Sequence, residues 1–290
     1  MNIVVSGADG QLAREIKELA PIFQEFNFTF LNKIQWDITN YNQFKTIYHS
    51  YNPQIIINCA AYTKVDLAES EMATCFLYNR DALDVLSKQC KLHKIILVHF
   101  SSDYVFHSPN ATPLKEYDTK NPSGVYARSK SEGEDLILHN LPESLIIRTS
   151  WLYSSFGHNF VKTILNISKK QNEIRIVEDQ IGSPTYAADL AEASLIILRS
   201  VKQAPTTNYF GVYHYSNAGI TNWFEFAKEI VRYENLAVEI KSISSQEFNA
   251  LANRPPYSVL DCSKIKEAFE IEIPDWRLSL HKCLDKLRGS

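Results

Sequence analysis

The feature that most constrains this chain is a series of short apolar runs, each followed by a stretch with helical character. "NIVVS" (2–6), "FTFL" (28–31), "IIIN" (55–58), "KIILVHF" (94–100) and "LIIRT" (145–149) are apolar at nearly every position, not at alternate ones. A strand with one wet face alternates; a strand covered on both faces does not. Helical stretches near 11–20, 40–51, 70–92 and 126–140 fill the intervals. Repeated strand–helix–strand units with right-handed crossovers build a parallel sheet with helices on both faces. "LAP" (19–21) and "YNP" (51–53) stop the first two helices, because the residue before a proline avoids the α region. Residues 103–125, rich in Pro, Asn and Ser, read as a long loop, and a loop of that length inside an α/β unit is usually functional.

The second half is less regular. A helix is expected over 158–170, a strand over 174–177, a helix over 187–200, a strand at 212–216 and a helix at 222–234. The expected fold class is α/β, a Rossmann-type doubly wound parallel sheet with a smaller C-terminal substrate-binding lobe. Residues 1–150 form the sheet domain and 187–217 return to it; 151–186 and 218–290 form the lobe.

Composition narrows the function. A net charge of −3 over 290 residues offers no basic footprint for nucleic acid. No apolar run approaches the ~20 residues of a membrane span. The first ten residues lack the basic segment and apolar length of a secretory signal. The five cysteines are scattered, with no C-x-x-C, and read as reduced thiols of a cytoplasmic protein. No His/Cys cluster has metal-ligand spacing.

"SGADGQLAREI" (6–16) joins the first strand directly to the first helix. Gly7 permits the tight turn, Gly10 lets backbone approach a pyrophosphate at the helix N-terminus, and the small Ala13 lets helix pack on strand. This is the pattern of a dinucleotide site. The second strand ends "FLNKIQWD" with no immediate carboxylate to repel a 2′-phosphate, and the cations Lys33 and Arg14 lie near, so NADPH is expected over NADH. Ala60 and Ala61, after the third strand, fit either close approach of a ligand or close packing.

"HFSSDYVF" (99–106) ends the fourth strand with two hydroxyls and a carboxylate, and "PSGVYARSKSEGE" (122–134) opens the next helix. Tyr126 and Lys130, four apart, share one helix face. The other Tyr-x-x-x-Lys match, Tyr41 with Lys45, has no catalytic company and reads as incidental. A Lys130 ammonium beside Tyr126 would lower the phenol's pKa. Tyr126 would then exchange a proton near neutral pH while Ser102 binds the same substrate oxygen, which is machinery for hydride transfer at a carbonyl.

Seven segments carry a resemblance: "GADGQLA", "NCAAYTKVDLAESE", "SSDYVF", "YARSKSEGE", "IIRTSWLYSSFGHNFVKTIL", "DQIGSPTYAADLA" and "RPPYSVLD". In this order the chain resembles the dTDP-4-dehydrorhamnose reductases, within the extended short-chain dehydrogenase/reductase superfamily, over nearly its whole length. The resemblance implies an NADPH-dependent reduction of dTDP-4-dehydro-6-deoxy-L-mannose (dTDP-4-dehydro-L-rhamnose) to dTDP-L-rhamnose. It implies that Gly10, Gln11 and Leu12 meet the pyrophosphate, and that Asp37 and Ile38 flank the adenine. Ala60, Ala61 and Tyr62 would line the cofactor groove. Ser102, Tyr126 and Lys130 would be the catalytic triad, Lys130 also holding the nicotinamide ribose. Ser102, Asp103 and Trp151 would meet the sugar nucleotide, and Arg254 its diphosphate. Ala13, Ser102, His107 and Ser108 depart from the family pattern. Some family members dimerise through a magnesium cluster of glutamates; Asp189 and Glu192 near that region do not by themselves support a metal, and monomer and homodimer both stay open. So do a related sugar-nucleotide reductase or epimerase and a non-catalytic NADP-binding subunit.

Overall fold

The apolar runs become adjacent strands of one parallel sheet. In the computed structural model, which describes residues 1–107 and 111–289, they are β1 (Asn2–Ser6), β2 (Asn27–Leu31), β3 (Ile55–Asn58), β4 (Ile96–Ser102) and β5 (Leu145–Thr149). A strand from the second half, β10 (Gly211–Tyr215), completes the order β10-β5-β4-β3-β1-β2. The chain leaves β1 toward β2 on one side and returns to β3 on the other. That reversal opens a crevice at the carboxyl ends of β1 and β3.

The continuous apolar character of the strands has a direct cause. Ile3, Val5, Ile55 and Ile57 point to one face, under α1 (Gln11–Leu19) and α8 (Ala187–Gln203). Val4, Ile56, Leu97 and Ile146 point to the other, under α2 (Tyr41–Tyr51), α5 (Ala82–His93) and α6 (Val125–Asn140). Each face buries its own layer, so neither set of alternate positions can be polar.

The expected helix over 70–92 is interrupted. After a short α3 (Val65–Ala68), α4 (Met72–Phe76) runs into a five-residue π turn, Leu77–Asp81, before α5 resumes the α geometry. Packing explains where it lies. Gly133 of α6 presses on this turn so closely that a Cβ there would clash with the Asn79 carbonyl oxygen. β4 also starts later and runs further than the expected strand at 94–100. Lys94 closes α5 in the left-handed region, and Ser101 and Ser102 lie within the strand. The segment after it is not free loop: Asp103–Val105 form a 3-10 turn and Leu114 bridges to Leu260.

The remaining chain builds a lobe with its own core. Two-residue strands β6 (Leu152–Tyr153) and β9 (Thr185–Tyr186) pair in parallel, and β8 (Ile181–Gly182) pairs antiparallel with β11 (Thr221–Asn222). β7 (Glu173–Val177) pairs with β12 (Glu239–Ile243). Over them α7 (Phe160–Ser168), α9 (Trp223–Tyr233) and α12 (Trp276–Arg288) enclose Tyr153, Val161, Ile164, Phe226, Trp276 and Leu280. The short α10 (Ser245–Phe248) and α11 (Ser263–Phe269) complete the chain. The lobe is pinned to α1 by Lys286, which donates to Glu15 at 2.8 Å, and by Asn159, which donates to Gln11 at 2.8 Å. Among the described residues no helix is long and apolar enough to cross a membrane.

Candidate active site

The turn after β1 is built for close approach. Gly7 has φ +68°, and a Cβ there would lie 2.8 Å from the Ala60 nitrogen at the exit of β3. Only glycine meets both demands. α1 then begins behind Gly10 with no side-chain cap and no acidic residue in its first turn. Its first N–H groups and the positive end of its dipole are therefore suited to an anion such as a dinucleotide's pyrophosphate. A cleft of about 470 Å³ opens here, lined by Gly7, Gly10, Asp37, Ile38, Ala60, Ala61 and Tyr62.

Two residues assigned to the cofactor from sequence, Gln11 and Leu12, do not line this cleft with their side chains. Leu12 is in the core, and the Gln11 amide is bonded to Asn159. What they offer an anion is backbone N–H. Arg14 is also elsewhere, stacked on the Phe156 ring at 4.1 Å. Lys33 does line the cleft, with its ammonium 4.8 Å from the Tyr78 ring centre. The carboxylate missing from the end of β2 is supplied six residues on, by Asp37, which accepts from the Tyr78 hydroxyl at 2.9 Å and the Thr39 hydroxyl at 2.8 Å. Burial pushes the Asp37 carboxyl up, but those bonds and Lys33 outweigh it and hold it below its ordinary value. Trp36 and Tyr78, which also line the cleft, carry no sequence signal; Tyr78 is brought there by the π turn.

The catalytic candidates meet where β4 ends and α6 begins. The Ser102 hydroxyl donates to Asp103 at 2.9 Å, accepts from the Tyr104 N–H at 3.2 Å, and stands within hydrogen-bonding reach of Tyr126. The Tyr104 ring meets Tyr126 edge-on at 5.4 Å. The first turn of α6 is fixed by long-range partners. Gly124 takes φ +89°, Glu69 accepts from the Val125 N–H at 2.8 Å, and Asn79 of the π turn donates to Ser129 at 3.1 Å.

The electrostatics differ from the expectation that Lys130 lowers the pKa of Tyr126. Lys130 is turned to β4, donating to the Phe100 carbonyl at 2.7 Å with His99 Nε2 at 3.3 Å. Burial dominates the phenol and pushes it well above its ordinary value, with the Ser102 hydrogen bond opposing. Burial also brings the Lys130 amine down to about 8 and the Asp103 carboxyl up to about 6. Tyr126 is thus a protonated phenol throughout the neutral range, the state a proton donor needs.

Arg254 belongs to the same patch. It donates to Asp66 at 2.7 Å and hydrogen-bonds Tyr104. Trp151 stands at the exit of β5 with φ +48°, half-buried, its ring stacked on Trp223 at 3.8 Å. A Cβ on Gly182 would lie 2.7 Å from that ring. Trp223 has no signal in the sequence. Of the departures noted above, His107 accepts from the Asn121 amide through its carbonyl at 3.2 Å, and Ser108 lies outside the described residues. Asp189 is occupied by Asn217 and Ser279. Among the described residues no group of three or more His, Cys, Asp or Glu side chains is placed to hold a metal.

Comparison with known proteins places the chain in a family. Residues 1–289 match the family described as RmlD substrate binding domain. A dTDP-4-dehydrorhamnose reductase of Aggregatibacter actinomycetemcomitans is 36% identical over 96% of both chains. The spore coat polysaccharide biosynthesis protein SpsK of Bacillus subtilis is 36% identical over 98% of this chain and 97% of its own. The crystal structure of dTDP-4-dehydrorhamnose reductase from Bacillus anthracis in complex with NADP superposes with TM-score 0.90 at 36% identity, covering 98% of this chain and 99% of that one. A cleft at the β1–β3 crevice, a hydroxyl pair at the end of β4 and relatives aligned end to end point the same way: the chain belongs to the dTDP-4-dehydrorhamnose reductase family.

Proposed function

We propose that this protein is an NADPH-dependent oxidoreductase that reduces dTDP-4-dehydro-6-deoxy-L-mannose (dTDP-4-dehydro-L-rhamnose) to dTDP-L-rhamnose. The observation that carries the reading is the hydroxyl pair, Ser102 with a protonated Tyr126, set beside a crevice whose helix N-terminus is uncapped. Residues 1–150 with 187–217 hold the cofactor, and 151–186 with 218–290 hold the sugar nucleotide. Gly7, Gly10 and the N–H groups of Gln11 and Leu12 would seat the diphosphate, and Asp37, Ile38, Ala60, Ala61 and Tyr62 the adenosine side. The cofactor, when bound, supplies hydride for the sugar C4 carbonyl carbon. Everything else falls to the protein. Ser102 orients the carbonyl oxygen, and Tyr126 donates its proton to that oxygen as charge develops. Lys130, one turn further along α6, holds the nicotinamide ribose. Trp151 packs on the sugar, Asp103 hydrogen-bonds it, and Arg254 meets its diphosphate.

Tyr126→Phe tests this reading. It keeps the ring and the helix and removes only the proton donor. Turnover, followed by loss of NADPH absorbance with the dTDP-4-keto sugar, should fall about 10²–10⁴-fold, while NADPH binding by fluorescence stays as in wild type. Full turnover in Tyr126→Phe would refute the role of the tyrosine. Tight NADPH binding by wild type with no reduction of any dTDP-4-keto sugar would refute the substrate.

A further inference from the structure

Tyr78 stands in the wall of the cofactor cleft. It is the second residue of the π turn, and its side chain crosses from there to the segment that follows β2. Its hydroxyl donates to Asp37 Oδ2 at 2.9 Å. The other Asp37 oxygen accepts from the Thr39 N–H at 3.0 Å and the Thr39 hydroxyl at 2.8 Å, and the Asp37 N–H donates to Gln43 Oε1 at 2.6 Å. Asp37 is thus tied at both oxygens and at its backbone, and it fixes the tip of the phenol in turn. The ring, half-buried, packs on the core layer under α2 and α5. Held at its base and its tip, it forms a plate along one side of the cleft.

Lys33 lies on that plate. It comes two residues after the end of β2 and is exposed. Its ammonium is 4.8 Å from the ring centre, inside the range of about 6 Å for a cation over an aromatic face. The phenol gives its proton to Asp37 and keeps lone pairs that an ammonium can use. Tyr78 accordingly holds the Lys33 amine above its ordinary pKa, first through a hydrogen bond, while Asp37 attracts it more weakly.

Position gives this contact its meaning. In a doubly wound sheet the residues just past β2 border the adenosine ribose of a dinucleotide, and a cation there accommodates a 2′-phosphate. A lysine on an exposed turn samples many rotamers, and ordering it on binding weakens affinity. Tyr78 orders Lys33 before a ligand arrives. Of the other cations in the region, Arg14 is stacked on Phe156, and Lys64 lies at the start of α3, beyond β3.

We propose that Tyr78 determines cofactor specificity as a positioning residue: its ring, anchored on Asp37, holds the Lys33 ammonium over the adenosine end of the cleft, where it meets the 2′-phosphate of NADPH. This rests on the reading of the crevice as a dinucleotide site and is independent of which sugar is reduced.

The test needs no sugar. Calorimetry compares adenosine 2′,5′-bisphosphate with adenosine 5′-monophosphate, which differ only in the 2′-phosphate. Wild type should prefer the bisphosphate. Tyr78→Leu removes the plate, and the preference should fall about three- to tenfold, the effect of having to order one long side chain on binding. Lys33→Met should lower it at least as far, and in that background Tyr78→Leu should change it by less than about twofold. A preference that survives Tyr78→Leu would overturn the proposal. So would a Tyr78→Leu effect that persists in full beside Lys33→Met, because the tyrosine would then touch the nucleotide itself. Equal binding of the two nucleotides by wild type would also overturn it and leave the dinucleotide reading standing; binding of neither nucleotide, and of neither NADPH nor NADH, would bring down that reading as well. If Tyr78→Leu fails to fold, proton NMR of the wild-type protein decides. The Lys33 methylene protons nearest the ammonium, lying over the ring, should resonate upfield of those of an exposed lysine such as Lys91, and an ordinary lysine shift would overturn the proposal.

Discussion

Replacing the catalytic lysine should make this protein more stable. Lys130 is buried, and burial lowers its pKa from 10.5 to about 8. Each unit corresponds to about 1.4 kcal/mol of preference for the neutral form, so the buried amine costs the folded state about 3 kcal/mol at pH 7, to order of magnitude. Lys130→Met keeps the length of the side chain and removes the titrating group. The lost hydrogen bond to the Phe100 carbonyl offsets about 1–2 kcal/mol of the gain. The net expectation is about 1–2 kcal/mol in favour of the variant. For a chain of 290 residues, an unfolding entropy of about 2.1 cal/mol/K per residue turns this into a Tm increase of roughly 2–3 °C.

The pH dependence gives the sharper check. Above about pH 8 the folded state of wild type releases the Lys130 proton, whereas the unfolded chain keeps it up to its ordinary pKa of 10.5. The unfolded state binds more protons in this window, so wild-type stability gains with pH across it. Lys130→Met has no such term. The other titrating groups are common to both proteins, so the stability gap should be full below pH 8, close above it, and reverse to about 1–2 kcal/mol in favour of wild type as the pH approaches 10.5, where only the lost hydrogen bond to Phe100 is left. Urea unfolding of both proteins at a series of pH values measures it. A variant less stable than wild type at pH 7, or a gap that does not change with pH, would refute the reasoning.

Trp151 sits at φ +48°, which costs any L-residue about 1–2 kcal/mol and glycine little. Trp151→Gly should therefore be more stable than Trp151→Ala by about 1 kcal/mol in chemical denaturation, with both losing turnover; equal stabilities would place the strain elsewhere. Lys33→Asp should narrow the preference for NADPH over NADH, because an acid beside Asp37 in the cleft repels a 2′-phosphate. A kcat/KM ratio for the two cofactors that does not move would put the phosphate beyond the reach of Lys33.

The parts of this molecule that its sequence declares are those decided by local periodicity. "NIVVS" and "IIIN" read as doubly covered strands because both faces of the sheet are roofed, and Gly7 read as a tight turn because no other residue fits against Ala60. The choice between the two Tyr-x-x-x-Lys pairs also followed from position along the chain. Lys45 lies over the ring of its own Tyr41 at 4.7 Å, on a helix face directed to solvent. What stayed hidden depends on register. The π turn that delivers Tyr78 and Asn79 packs against Gly133, more than fifty residues later, where no larger side chain fits. Trp223 becomes the floor under Trp151 only after the lobe closes.

The charge state of Lys130 is the clearest case of this kind. Read along the chain, Lys130 has Tyr126 as its nearest chemical neighbour, and a cation beside a phenol lowers the phenol's pKa. Across the sheet its neighbours are His99 and the Phe100 carbonyl, and the sign reverses: desolvation outweighs attraction for both side chains. A helix places two side chains on one face, but the solvent that the rest of the fold removes from around them decides which of the two holds the proton. Here that solvent is removed by β4, against which Lys130 packs, and the polar residues Ser6, Asn58 and His99 lie in register across β1, β3 and β4. An isolated polar residue at the end of a buried strand is a weak signal. Three of them in register, with Ser6 Oγ donating to Asn58 Oδ1 at 2.6 Å and Asn58 Nδ2 3.1 Å from His99 Nδ1, become a buried polar row only once the strands are aligned.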